Sequence, residues 1–103
     1  MYQGLTLIGP DGQEFFYASD DPASLTPEAA RAWLDAAFIE LDCEPLRASG
    51  KVLLADKVLA IAQAAGSTRW TDPAWGQAFA RAACAALGRT RVTVDLRAQS
   101  VTF

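Results

Sequence analysis

Ser49 stands two residues before Lys51 and eight before Lys57. That is the nearest the chain comes to a nucleophile beside a base. A lysine can take a serine proton only where burial lowers its pKa. Ser49 is read more simply as a loop or helix-cap serine. The chain has no His, so Ser–His and Cys–His pairs are absent, and with them the commonest metal ligand. Gly50-Lys51 has the last two residues of a phosphate-binding loop. Pro45 stands in the place of its first glycine and Val52 in the place of its Ser/Thr, so the pattern fails. The densest metal-capable stretches are Asp20-Asp21 and Asp42-Cys43-Glu44. Neither has EF-hand or zinc-site spacing, and both read as solvated acidic loops. Asp35 and Asp42 share a helix face with Glu28 and Arg31, where Arg31 and Asp35 can pair at i,i+4. An exposed carboxylate keeps an ordinary pKa and is a poor acid at neutral pH. The two cysteines, Cys43 and Cys84, read as reduced thiols, one of them in a core helix. The expectation is a non-enzymatic chain with no metal and no cofactor.

Binding surfaces suit the residues better. Gln13 to Ala18 alternates so that Phe15 and Tyr17 share one face and Phe16 takes the other. At least one aromatic must then leave the face that helices cover. Arg91, Thr93, Asp95 and Arg97 alternate with Val92, Val94 and Leu96, which puts both arginines on the open face with Thr6 and Ile8. Aromatic, arginine and aspartate together suit a protein partner or self-association. The bland account is that Arg91 and Arg97 pair with Asp95 and Glu14 across strands. The same face suggests single-stranded nucleic acid as an alternative, with bases stacked on rings. The glycine–aromatic signature of that mode is missing, and a net charge of −3 has the wrong sign. A small-molecule binder or minimal enzyme with a pocket between helices and sheet is the third reading. Arg69-Trp70 is a second candidate surface: exposed, Trp70 would be an anchor for a partner; folded under, it would seal the core beside Trp75. The protein-binding candidates are Phe16, Tyr17, Arg69, Trp70, Arg91 and Arg97.

The elements that must position these residues follow from periodicity. Tyr2 to Ile8 reads as a strand with Leu5 and Leu7 on one face. Gly9-Pro10-Asp11-Gly12 is a turn, and Gln13 to Ala18 is its hairpin partner. Ser19 to Leu25 is a polar loop. Thr26-Pro27-Glu28 starts a helix that runs to about Leu41, with an inner arc of Ala30, Trp33, Leu34, Ala37, Phe38 and Leu41. Asp42 to Gly50 connects it to a second helix, Lys51 to Gly66. This one is apolar on most sides and reads as the central core helix, with Gly66 as a C-cap. Ser67 to Thr71 reads as a short loop. Asp72-Pro73 repeats the cap-plus-proline start, and helix three runs to about Leu87 before Gly88. Its inner arc is Trp75, Phe79, Ala82, Ala83 and Ala86. Arg89 to Arg97 is the clearest strand. A short fourth strand at Val101 to Phe103 is compatible with the out-of-phase apolar residues there.

The order ββαααβ(β) predicts an α+β, two-layer fold: a small, mainly antiparallel sheet with three helices on one face. At 103 residues, with half of them hydrophobic, a single domain with a real core is expected. No run approaches the ~18 apolar residues of a membrane span. The start, MYQGLTLIG, has no basic leader. With arginine outnumbering lysine and alanine abundant, the expectation is a bacterial cytoplasmic protein-interaction domain without a membrane, acting through the open sheet face or an exposed edge strand.

Overall fold

In the computed structural model, residues 3–19, 25–41 and 51–103 are described. Asp20, Asp21, Asp42, Cys43, Glu44 and Ser49 lie outside them. The elements run β1 (Gln3–Ile8), β2 (Glu14–Ser19), α1 (Pro27–Glu40), α2 (Lys51–Trp70), α3 (Pro73–Leu87), β3 (Arg91–Asp95) and β4 (Ser100–Thr102). The fold is the expected two-layer α+β arrangement, with a mixed sheet.

The sheet order is β2-β1-β3-β4. β1 pairs with β2 and β3 with β4 in antiparallel ladders, whereas β1 and β3 are parallel, with Leu5 opposite Val92 and Leu7 opposite Val94. Parallel neighbours need a long crossover, and the three helices supply it. The hairpin turn closes where the chain chemistry asks for it. Gly9 N–H donates to Gln13 O at 2.8 Å and Gly12 N–H to Gly9 O at 3.0 Å. Asp11 Oδ1 accepts from Gln13 N–H at 3.1 Å, and Gly12 supplies the φ of +87°.

Helices α1 and α3 start as their sequences require. Thr26 Oγ1 accepts from Ala29 N–H at 3.2 Å and Asp72 Oδ1 from Ala74 N–H at 3.1 Å, each followed by proline. Gly88 closes α3 in the left-handed conformation at φ +67°.

Two expectations need correction. The central helix is α3, not α2. It packs on α1, α2, β1, β2 and β3, because Gly76, Ala80 and Ala83 let its axis come close to the sheet. Tyr17 of β2 lies directly over Gly76, where a Cβ would collide with the ring. Helix α2 packs on α1, α3, β3 and β4, with Leu54, Val58, Ile61, Ala62 and Ala65 buried. Nor does α2 stop at Gly66. That residue takes φ +65° and ψ −179°, a conformation open in practice only to glycine, and a further helical turn carries the chain to Trp70.

The face of the sheet against the helices carries buried Leu5, Leu7, Tyr17, Val92 and Val94. An aromatic group of Trp33, Trp75 and Phe79 joins α1 to α3, with ring centroids 5.3–6.4 Å apart. Lys57 is buried and pairs with Asp35 across α1 and α2. Asp35 stays exposed, and its ion pair among the described residues is this tertiary one with Lys57 rather than a local one with Arg31.

Candidate functional site

Strand β2 is the outermost strand on its side of the sheet, and its alternation sorts its three aromatics. Tyr17 points to the helices, is buried, and donates its hydroxyl proton to Trp70 O. Burial pushes the Tyr17 phenol pKa up. Phe15 is half-buried and packs on Trp70 at a centroid distance of 6.2 Å. Phe16 takes the open face and remains 61% exposed, so it is the aromatic that leaves the covered side.

Trp70 is buried. The backbone turn at Gly66 brings its indole N–H back onto Ala62 O, at 3.0 Å. It seals the end of the core and still forms a wall of two clefts. The first, of about 350 Å³, lies between β2 and the α2–α3 corner and is lined by Phe15, Tyr17, Ala18, Trp70, Pro73 and Gln77 among others. The second, about 310 Å³, lies toward the hairpin turn and adds Pro10, Asp11, Gln13 and Ser67. Phe15 and Trp70 belong to both, so the two make one groove along β2.

Strand alternation fixes what the groove offers. Gln13 O faces β1, since it accepts from Gly9 N–H. Phe15 and Tyr17 follow it, and Glu14, Phe16 and Ala18 turn their main-chain groups to the outer side. Gln77 Nε2 reaches Ala18 O from α3 at 3.4 Å, which agrees with that assignment.

The remaining candidates are dispersed. Arg69 donates to Glu40 Oε1 at 2.6 Å and stands 5.9 Å from the Trp75 ring centroid, tying α1 to the α2–α3 corner. Arg91 is on the open sheet face, opposite Gly4. Arg97 lies past β3, beside Gly12 of the hairpin turn. Neither arginine has an ion pair among the described residues. The cross-strand pairing with Asp95 and Glu14 is not formed. Asp95 Oδ1 instead accepts from Arg97 N–H at 2.9 Å and Ala98 N–H at 3.0 Å, fixing the β3–β4 turn.

Groups suited to catalysis do not converge among the described residues. Cys84 is buried with Sγ 3.5 Å from Gly4 O, and burial pushes its thiol pKa up to about 11, the reverse of a reactive cysteine. Lys57 is lowered by burial but held by Asp35. No three metal-capable side chains cluster among the described residues, and none of the described helices is long and apolar enough to cross a membrane. Sequence reasoning missed the groove itself. Its far wall comes from the α2–α3 corner, and the only local signal was the Arg69-Trp70 pair beside Pro73. The chain matches no protein-family model, no curated protein and no solved structure.

Proposed function

We propose that this chain is a non-enzymatic protein-interaction domain that takes an extended segment of a partner protein along the outer edge of β2. The groove shared by Phe15 and Trp70 is the observation that carries this reading. A six-residue edge strand, ~20 Å long, matches a segment of about six residues added as a further strand. Main-chain pairing would supply affinity, and alternate side chains would fall against Trp70, Phe15 and Pro73. Asp11 lines the groove, and Glu14 and Asp72 adjoin it. The one cation of the α2–α3 corner, Arg69, is already held by Glu40. The fitting segment therefore alternates apolar and polar residues and carries Lys or Arg rather than acid.

Random peptides displayed on phage and panned against the whole chain test this. Enrichment of alternating, basic sequences is expected. Their affinity should fall at least about tenfold in Phe16→Pro, which removes an outward N–H, and in Gln77→Trp, which fills the cleft. Both variants should keep their thermal melts. Peptides that bind both variants as well as the parent would refute the reading. So would a concentration-dependent dimer that Phe16→Pro dissolves, because the groove would then belong to a second copy.

A further inference from the structure

On the other side of Phe16 from the groove, the open sheet face has a hollow of about 280 Å³, lined by Gly4, Thr6, Phe16, Arg91, Val92 and Thr93. Register places its parts. Thr6 lies between Phe16 and Thr93 in one row across the strands, and Gly4 lies between Ala18 and Arg91 in the next. Gly4, which lines the hollow, is the one position in these two rows without a side chain. Gly4 is not among the positive-φ glycines, so its backbone does not demand glycine.

The chemistry of the walls is specific. Arg91 contributes a guanidinium with no carboxylate partner among the described residues. The nearest acid along its strand on this face, Asp95, is committed to the β3–β4 turn. Thr6 and Thr93 add hydroxyl donors, and Phe16, 61% exposed, adds an apolar wall. A planar fork of N–H donors flanked by hydroxyls matches a carboxylate. A single cation in the lining of the hollow, on a chain of net charge −3, suits a single anionic charge and disfavours a polyanion.

We infer that this hollow binds a small carboxylate carrying an apolar or aromatic body, with the carboxylate on Arg91, Thr6 and Thr93 and the body against Phe16. The carboxylate can be that of a free organic acid or of a chain terminus. Its occupancy does not depend on a segment lying along β2.

The test is an NMR titration of the ¹⁵N-labelled chain with 3-phenylpropionate, its amide, a Gly-Gly-Phe peptide with a free terminal carboxylate, and inorganic phosphate. Saturable shifts are expected at the Gly4, Thr6 and Thr93 amides and at Arg91 Nε with the acid. The amide should bind at least about tenfold more weakly, and Arg91→Gln should weaken the acid by a similar factor without altering the melt. Gly4→Val, which places a side chain in the hollow, should abolish binding while Arg91 remains. A tighter Gly-Gly-Phe peptide would assign the site to chain termini, and a tighter phenylpropionate to free acids. The inference is overturned if no saturable shift maps to these residues, if the amide matches the acid, if Arg91→Gln binds normally, or if phosphate displaces the acid and binds more tightly.

Discussion

At the scale of single residues, the contact between Gly76 and Tyr17 governs how closely α3 approaches β2. A methyl at Gly76 meets the Tyr17 ring, whose hydroxyl is anchored on Trp70 O. The ring cannot yield without releasing that hydrogen bond. Gly76→Ala should therefore destabilise by about 1–3 kcal/mol, the usual cost of overpacking, despite the better helix propensity of alanine. A denaturant melt reads this directly; an unchanged midpoint would mean that the strand moves freely. Cys84 gives a pH signature. Its thiol is raised from 9.0 to about 11 by burial. Below about pH 9 both folded and unfolded states hold the proton, so pH has no effect through this group. Between about 9 and 11 only the unfolded chain ionises, and stability falls as pH rises. The loss should reach about 2 kcal/mol near pH 11. Comparing wild type with Cys84→Ala over that range isolates it: the variant's curve should be flatter. Parallel curves would place Cys84 in contact with water.

At the scale of elements, the kink in α2 is what allows one helix to serve two tasks. Residues before Gly66 bury Val58, Ile61, Ala62 and Ala65, and the turn after it delivers Trp70 to Ala62 O and Tyr17. A Cβ at Gly66 would touch nothing within 4 Å, so any cost of substitution is conformational rather than steric. Gly66→Ala should lose about 1–3 kcal/mol, and near-ultraviolet circular dichroism should report the displaced indole. Retention of both the melt and the Trp signal would contradict the role given to the kink. The termini of α1 and α3, the hairpin turn and β3 were legible in the sequence because each rests on contacts within a few residues: a cap with its proline, an Asx turn, a period of two. The role of Gly66 was misread because a C-cap glycine and a kink glycine look alike in one dimension. They differ in ψ, which the packing of Trp70 selects.

At the scale of the whole molecule, the two faces of the sheet should respond oppositely to charge. Val58 is fully buried in the layer behind the sheet, and Arg91 is exposed on the open side. Val58→Asp should unfold the chain at ambient temperature, because an unpaired carboxylate would enter the core. Arg91→Ala should stay within about 0.5 kcal/mol of wild type. A large loss for Arg91→Ala would mean that the open face is covered. The same asymmetry explains which candidates for binding survive as a surface. Alternation alone put Arg91 on the open side and required at least one of Phe15, Phe16 and Tyr17 to leave the covered one; Phe16 is the one that does. Tyr17 and Trp70 are turned inward by partners 53 and 8 residues away in the chain, and Arg69 is held at the surface by Glu40, 29 residues away.

The sequence by itself determined the order of elements, the two-layer class and which residues of β1, β2 and β3 share a face. Those depend on periodicity, capping and turn residues, which act over a few positions. Tertiary structure alone decided three things: that β1 lies between β2 and β3, that α3 rather than α2 is the central helix, and that Lys57 finds Asp35. Each depends on which surfaces meet, and helices as rich in alanine as these offer several nearly equivalent faces. The choice among them was made by the depth of fit at single sites, above all Tyr17 over Gly76, and that fit exists only once the layers are together.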